Sequence, residues 1–155
     1  MATTYLTLDQ AIDTHAKTVE VSGGGALGHL DLGLLAGVLD HIQNEDYYPT
    51  FEEKLTHLFF SACKFHCFQD GNKRIAITLS AQMLLFNGYL HCVSSFIREM
   101  ENISYHVAAG KIDKELLRDL ITGHLEDEAD DENLKLRLLT AIAFGEDGED
   151  DETTL

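Results

Sequence analysis

Two apolar segments with helical periodicity flank a short polar break, and this arrangement constrains the fold more than any other feature. The break, HCFQDGNKR, runs from His66 to Arg74. The flanking patterns predict one helix over 50–65 and a second over 72–87. The first backbone N–H groups of a helix are unpaired and its dipole is positive there, so a cation-rich loop ending at a helix start suits an anion. The segment therefore predicts a phosphate or nucleotide site.

The bulk composition predicts one soluble domain. The chain has 155 residues, of which 45% are hydrophobic, and no stretch approaches the roughly 18 apolar residues of a membrane span. The first ten residues lack the basic and apolar regions of a secretory signal. Three cysteines are an odd number, too few for a disulfide framework, and they favour reduced thiols. We therefore expect a cytoplasmic protein with no membrane partner.

The net charge of −16 is concentrated at the C-terminus. Residues 1–125 carry 15 acidic and 9 basic side chains, a net charge of −6, whereas residues 126–155 carry 12 acidic and 2 basic ones, a net charge of −10. An acidic surface repels nucleic-acid backbones, so direct binding to DNA or RNA is not expected. The same acidity is typical of a protein from a salt-adapted host, and the sequence does not separate these interpretations.

Apolar periodicity and capping signals predict an all-α fold, a compact helical bundle. Capping boxes at Thr7 and Thr50 open two helices, Asp113 caps another, and the glycines 88 and 110 end two more. Residues 89–93 are expected to form an extended link. The helices are predicted at about 7–17, 32–42, 50–65, 72–87, 95–109, 113–125 and 131–145.

A glycine-rich segment separates the first two predicted helices. It follows the β-branched pair Val19 and Val21, and its composition predicts a mobile loop or hairpin that lets backbone approach a partner closely. A plain flexible linker is the alternative. The predicted flap comprises Ser22, Gly23, Gly24, Gly25, Ala26, Leu27 and Gly28.

The composition changes again at Glu126, which predicts a domain over 1–125 and an acidic extension over 126–155. Within the extension, 131–145 predicts an amphipathic helix and 146–155 a disordered acidic tail. One hypothesis places this helix on an apolar groove of its own domain. The alternative is a solubilising tail with a frayed helix.

The polar break contains the parts of a phosphoryl-transfer site. His66 has a side chain that titrates near neutrality and can accept a proton from a hydroxyl. Asp70 is a hard oxygen ligand suited to Mg²⁺, and Gly71 permits close backbone approach. Phe68 is predicted to anchor the loop in the core. Each of these residues also has a structural explanation, such as a helix C-cap for His66 or a turn for Asp70.

The following helix start supplies the countercharge. Asn72 can donate to a phosphate oxygen, while Lys73 and Arg74 contribute a point charge and a bidentate fork. Together they can stabilise the charge that develops in phosphoryl transfer. A structural zinc site is the competing interpretation, and buried inert thiols are the simpler one for the cysteines. The zinc ligands would be His57, Cys63, His66 and Cys67.

This motif resembles the signature of the Fic/Doc superfamily, and more closely that of the Doc (death-on-curing) toxin branch. Fic proteins carry H-x-F-x-x-G-N-G-R-x-x-R, and Doc-type toxins carry H-x-F-x-D-A-N-K-R. The similarity extends over 8–125 in helix order, with 22–28 at the position of the family's target-docking flap. The residues that match the Doc form are His66, Phe68, Asp70, Asn72, Lys73 and Arg74.

Two departures from the Fic form imply the kind of group transferred. Lys73 replaces the glycine that leaves room for the α-phosphate in adenylylating members, and Ile77 replaces their second arginine. The resemblance therefore implies γ-phosphoryl transfer, a kinase activity, rather than AMP transfer. Gly71 stands where Doc has alanine and Fic has glycine, which keeps adenylylation as the alternative. A non-catalytic binding module is the second alternative.

The resemblance also implies roles and partners. His66 would be the general base, Asp70 would bind Mg²⁺, and the nucleotide phosphates of ATP would be held by Gly71, Asn72, Lys73 and Arg74. The flap would align a protein target with a reactive hydroxyl, which in Doc-type toxins is a threonine of elongation factor Tu. Modification of that factor blocks translation. The inhibitory motif of many Fic proteins is not found in the sequence, so restraint is expected from a separate antitoxin.

Overall fold

The computed structural model describes residues 3–21, 32–64, 72–128 and 131–144. Over these ranges the chain forms seven α-helices and one 3₁₀ helix, with no strand, which confirms the predicted all-α class. The α-helices are α1 (Leu8–Val21), α2 (Leu32–His41), α3 (Phe51–Lys64), α4 (Asn72–Phe86), α5 (Val93–Ala108), α6 (Lys114–Leu125) and α7 (Glu132–Phe144), and the 3₁₀ helix spans Leu90–Cys92.

Helix α4 is the centre of the bundle. It packs against α1, α3 and α5, while α3 also contacts α2 and α6. Four large apolar side chains of α4 are completely buried, namely Ile75, Leu79, Met83 and Leu84. The apolar faces of α3 and α4 thus form the middle of one hydrophobic core, as the sequence predicts for the two segments around the polar break.

Several helix ends follow the predicted capping chemistry. The N–H of Thr7 donates to Oε1 of Gln10 at 2.9 Å, and the N–H of Gln10 donates to Oγ1 of Thr7 at 3.1 Å. Asp113 accepts from the N–H of Leu116 at 2.8 Å at the start of α6. Positive φ angles of 86° and 84° at the glycines 88 and 110 close α4 and α5.

The second capping box is only half formed. The N–H of Glu53 donates to Oγ1 of Thr50 at 3.2 Å at the start of α3. In the described part of the chain, the Glu53 carboxylate accepts no return bond from the Thr50 N–H, unlike the closed box at Thr7. The Glu53 carboxylate is therefore left available at the protein surface.

Two local predictions are wrong. Helix α1 continues past Lys17 to Val21, because β-branched residues lower helix propensity by only a fraction of a kcal/mol and nothing at 18–21 breaks a helix. The buried side of α1 includes Ala11 and His15, whereas Ile12 and Ala16 are half-buried. Residues 90–92 form a 3₁₀ helix instead of an extended link. The predicted flap, 22–28, lies outside the described residues.

A long-range clamp attaches the N-terminal segment to the end of α4. The amide side chain of Asn87 accepts from the N–H of Thr4 at 2.8 Å and donates to the Thr4 carbonyl at 2.9 Å.

A second clamp uses Lys54, whose side chain is buried. Its Nζ donates to the carbonyls of Ile42 and Tyr48 and lies 3.4 Å from the Glu45 carboxylate. This clamp holds the α2–α3 turn against α3.

Helix α7 lies on α6. Its residues Leu134, Leu138 and Ala141 pack partly against the core, and Arg137 Nη1 is 2.8 Å from Oδ2 of Asp119 on α6. The opposite side of the helix exposes three large apolar residues, Leu136, Leu139 and Phe144. The predicted tail, 146–155, lies outside the described residues. In the described ranges, no helix is long and apolar enough to cross a membrane.

Candidate functional site

The polar motif joins two helices that pack against each other. Helix α3 ends at Lys64 and α4 begins at Asn72, so the predicted site is built on the connection between the two helices at the centre of the core. Several predicted site residues, His66, Phe68, Asp70 and Gly71, lie outside the described residues, as do the side chains of Asn72 and Lys73. Their predicted roles therefore stay predictions.

The start of α4 is described, and it is where the sequence places the phosphate-binding cations. Residues 72 and 73 form the first helical positions, and Arg74 follows with an exposed side chain. The first-turn N–H groups of an α-helix lack intrahelical partners, and the helix dipole attracts negative charge to them. An exposed guanidinium beside such a helix start is suited to a phosphate group.

The residues immediately after Arg74 turn into the core. Ile75 and Ala76 are completely buried, and Ile77 retains 6% of its exposure within the same hydrophobic cluster. Position 77 is the one at which the Fic signature has its second arginine. In this chain it is an apolar packing position, so its side chain contributes no charge to the N-terminal end of α4.

A second group of polar residues, not predicted from the sequence, surrounds His57 on α3. Its Nδ1 lies 3.1 Å from the Tyr48 hydroxyl and 2.8 Å from Nζ of Lys114, and its Nε2 lies 3.4 Å from Oγ of Ser61. Burial, followed by the charge of Lys114 and the proximity of His41, lowers the pKa of His57 to about 4. The imidazole is therefore neutral at physiological pH, with Nδ1 accepting from Lys114 and Nε2–H donating towards Ser61.

Lys114 is held mainly by neutral groups. Besides His57, its Nζ lies 5.3 Å from the ring centroid of Tyr48 and 5.8 Å from that of Phe60. Over the described ranges, it forms no salt bridge with a carboxylate within 4 Å. Burial lowers the pKa of its amine.

Tyr48 and Lys114 also border an open cavity of about 400 Å³ between α3, α6 and the α2–α3 turn. Besides Thr56, its wall carries two tyrosines, two carboxylates and two cations: Tyr47, Tyr48, Glu53, Glu115, Lys114 and Arg118. The only sequence signal was the aromatic pair in the turn, since the charged residues come from positions far apart in the chain. At 1.5 Å per residue, Glu53 lies about 16 Å along α3 from Lys64, where the motif connection begins.

The described residues give no support to a zinc site. Both ring nitrogens of His57 face polar partners, and Cys63 is a reduced thiol with 1% exposure. His66 and Cys67 lie outside the described residues. Over the described ranges, no group of three or more His, Cys, Asp or Glu residues is placed to hold a metal. Cys63 and Cys92 are buried thiols outside any disulfide, so the predicted burial of the cysteines is confirmed for these two.

Comparison with known proteins adds one match. The model of a family described as the Fic/DOC family matches residues 5–84, which is 80 of the 155 residues. The matched region contains α1 to α3, the whole polar motif and α4 up to residue 84. No curated protein matches the chain, and no solved structure matches it.

Proposed function

The chain belongs to the Fic/DOC family, and from that premise we propose that it transfers the γ-phosphoryl group of ATP to a hydroxyl of a protein, as a Doc-like toxin. Family membership supports an enzyme that transfers a nucleotide or phosphate group to proteins, and such enzymes generally use ATP with a metal ion. The proposal goes further in choosing the γ-phosphoryl group and a toxin's role.

The burial of Ile77 is the observation that most favours γ-phosphoryl transfer over AMP transfer. An adenylylating member uses an arginine at this position to hold the distal phosphates, and here the side chain lies in the core with 6% exposure. Lys73 also occupies the position at which those members have glycine. Both features disfavour the nucleotide pose of AMP transfer and favour the reversed pose that presents the γ-phosphate.

In the proposed mechanism, the target hydroxyl displaces ADP from the γ-phosphorus of ATP, and residues of this chain position the reacting groups. His66 accepts the proton of the target hydroxyl, and the hydroxyl oxygen forms a bond to the γ-phosphorus while the bond to the β,γ-bridging oxygen breaks. ADP leaves with its phosphates held by Asn72, Lys73 and the exposed Arg74. Asp70 is the proposed ligand of Mg²⁺, which neutralises phosphate charge when bound.

The proposed partners follow from the same assignment. The target is a translation factor with a reactive hydroxyl, for which elongation factor Tu is the specific candidate, and its modification blocks translation in the cytoplasm. A separate antitoxin restrains the enzyme. The flap at 22–28 docks the target segment by backbone pairing.

The acidic extension is proposed to add restraint in cis. Helix α7 already lies on its own domain, through Leu134 and Leu138 and through the ion pair of Arg137 with Asp119. Removal of 126–155 is expected to raise transferase activity if this contact limits it. A solubilising role predicts unchanged activity and lower solubility.

The experiment that tests the proposal uses ATP labelled on either the γ- or the α-phosphate. Purified protein, Mg²⁺ and a cell extract containing translation factors are incubated with each label, and proteins are separated by mass. We expect γ-label on one protein band, and its loss in His66→Ala, because general-base catalysis contributes roughly 10²–10⁴-fold. His91→Ala is a matched control, since His91 is exposed in the 3₁₀ helix and should keep full activity.

The other outcomes select the alternatives. Transfer of the α-label alone would refute the kinase assignment and support the adenylyltransferase, which Gly71 favours because Fic proteins have glycine at that position. Transfer of neither label, with a biological effect that survives His66→Ala, would support the non-catalytic binding module.

A further inference from the structure

We propose that the cavity between α3, α6 and the α2–α3 turn binds a free aromatic α-amino acid. The site is separate from the polar motif and does not depend on the proposed phosphotransfer. Besides Thr56, three kinds of group line it, namely tyrosines, cations and carboxylates, and each of the three matches one part of such a ligand. Its volume of about 400 Å³ lies within the range of small-molecule pockets in proteins.

The cations of the wall are suited to the ligand carboxylate. Nζ of Lys114 is bonded to a neutral imidazole and lies over two aromatic rings, so over the described ranges it has no carboxylate partner. Arg118 follows four residues later on α6 and therefore lies on the same side of the helix. Its nearest acidic partner is Asp119 at 3.5 Å, a long contact that leaves donors of the guanidinium available.

The carboxylates of the wall are suited to the ligand ammonium. Glu53 does not complete the capping box at the start of α3, and among the described residues neither Glu53 nor Glu115 forms a salt bridge. A capping box normally uses the carboxylate to satisfy a backbone N–H. The open box therefore leaves a carboxylate beside the cavity for which the described fold provides no partner.

The tyrosines supply an apolar surface for the ligand ring. Tyr47 is 68% exposed, although large aromatic side chains usually bury most of their area, and its ring lies 6.5 Å from that of Tyr48. A flat aromatic side chain stacked here would cover apolar surface that now contacts water. The two phenol groups also lie within the same wall as the charges.

The balance of charge selects this class of ligand. Two cations and two carboxylates give the wall no net charge. A simple anion bound there would be repelled by the two carboxylates, and a simple cation would be repelled by the two cationic side chains. A zwitterion places opposite charges against both pairs. An aromatic amino acid also has a ring that can stack on the two tyrosines.

The absence of tryptophan from the sequence permits a direct assay. Protein is titrated into a fixed amount of L-tryptophan, and the fluorescence anisotropy of the ligand is followed under excitation that tyrosine does not absorb. We expect a saturable rise with a dissociation constant below about 1 mM. Tryptamine lacks the carboxylate and indolepropionate lacks the ammonium, so both should bind about tenfold more weakly. L-alanine, which lacks the ring, should not compete.

Variants assign the binding to the cavity. Lys114→Gln should weaken L-tryptophan binding about tenfold, and Arg118→Gln provides the same test on an exposed residue if the first variant is unstable. Glu53→Gln should abolish the preference for L-tryptophan over indolepropionate. Lys17→Gln is the matched control, because Lys17 is exposed on α1 and paired with Asp13 at 2.9 Å.

Three results would overturn the proposal. They are no saturable anisotropy change, tryptamine binding as tightly as L-tryptophan, and Lys17→Gln weakening binding as much as Lys114→Gln or Arg118→Gln. Thermal melting of each variant without ligand separates lost binding from lost folding. Since the readout is binding of an amino acid, it is independent of whether the labelled-ATP experiment succeeds.

Discussion

Substitution of Ile77 by arginine tests whether this position can be returned to the Fic form. The native side chain has 6% exposure in the central helix, and burying such a side chain contributes about 1.5–3 kcal/mol. Arginine is longer, so it also forces local repacking that typically costs about 1–3 kcal/mol. We therefore expect Ile77→Arg to lower the free energy of unfolding by about 3–5 kcal/mol, a large share of the roughly 5–15 kcal/mol of a typical domain.

The assay is urea unfolding followed by far-UV circular dichroism, because loss of helix reports global unfolding. Ile77→Val is the matched control and should cost only about 0.5–1.5 kcal/mol. The reasoning would be refuted by an Ile77→Arg protein that loses less than about 1 kcal/mol and transfers α-label from ATP. Such a protein would show that a side chain at position 77 reaches the nucleotide, and the argument for the kinase pose would fail.

Four further expectations concern the clamps, the buried histidine, the extension and the exposed cation. Lys54→Met should cost about 3 kcal/mol in urea unfolding because it removes charge-assisted bonds to two carbonyls, whereas Glu45→Gln at the exposed end of the pair should cost less than about 1 kcal/mol. The pKa of His57 is lowered from 6.5 to about 4, so between these pH values the unfolded chain binds more protons than the folded protein. The free energy of unfolding should therefore fall as pH decreases through that window, and His57→Gln should flatten its slope against pH. Deletion of 126–155 should raise label transfer at least severalfold in the labelled-ATP assay, and unchanged transfer would contradict restraint by α7. Arg74→Gln should weaken ATP binding measured by calorimetry by about tenfold without changing the melting temperature, because the side chain is exposed.

The helices of the core were predictable because their signals are local. Apolar spacing in α3 and α4, the closed capping box at Thr7 and the glycine at 88 each act within a few residues, so the sequence shows them directly. The extent of α1 was not predictable in this way. Its last turn, with Val19 and Val21, contains residues that suit a strand or a helix, and the surrounding protein decides between them.

The candidate sites differ in the same respect. The polar motif is contiguous, so nine residues were enough to predict a phosphate site at the start of α4. The cavity is assembled from Tyr48 in a turn, Glu53 on α3 and Lys114 on α6, which come together only through the packing of α6 against α3. Nothing in the local sequence distinguishes Lys114 from the other lysines. Its distinguishing property is the contact of its ammonium with His57 and two aromatic rings in place of a carboxylate, and that is a tertiary feature.

The clamp between Thr4 and Asn87 can form only after most of the N-terminal half of the chain has been synthesised. A ribosome adds about 5–20 residues per second, so the 83 residues that separate the two partners take roughly 4 to 17 s to make. During that interval α1 has neither the clamp nor α4 to pack against. A protein proposed to arrest translation therefore cannot assemble its own core until more than half of it has been translated.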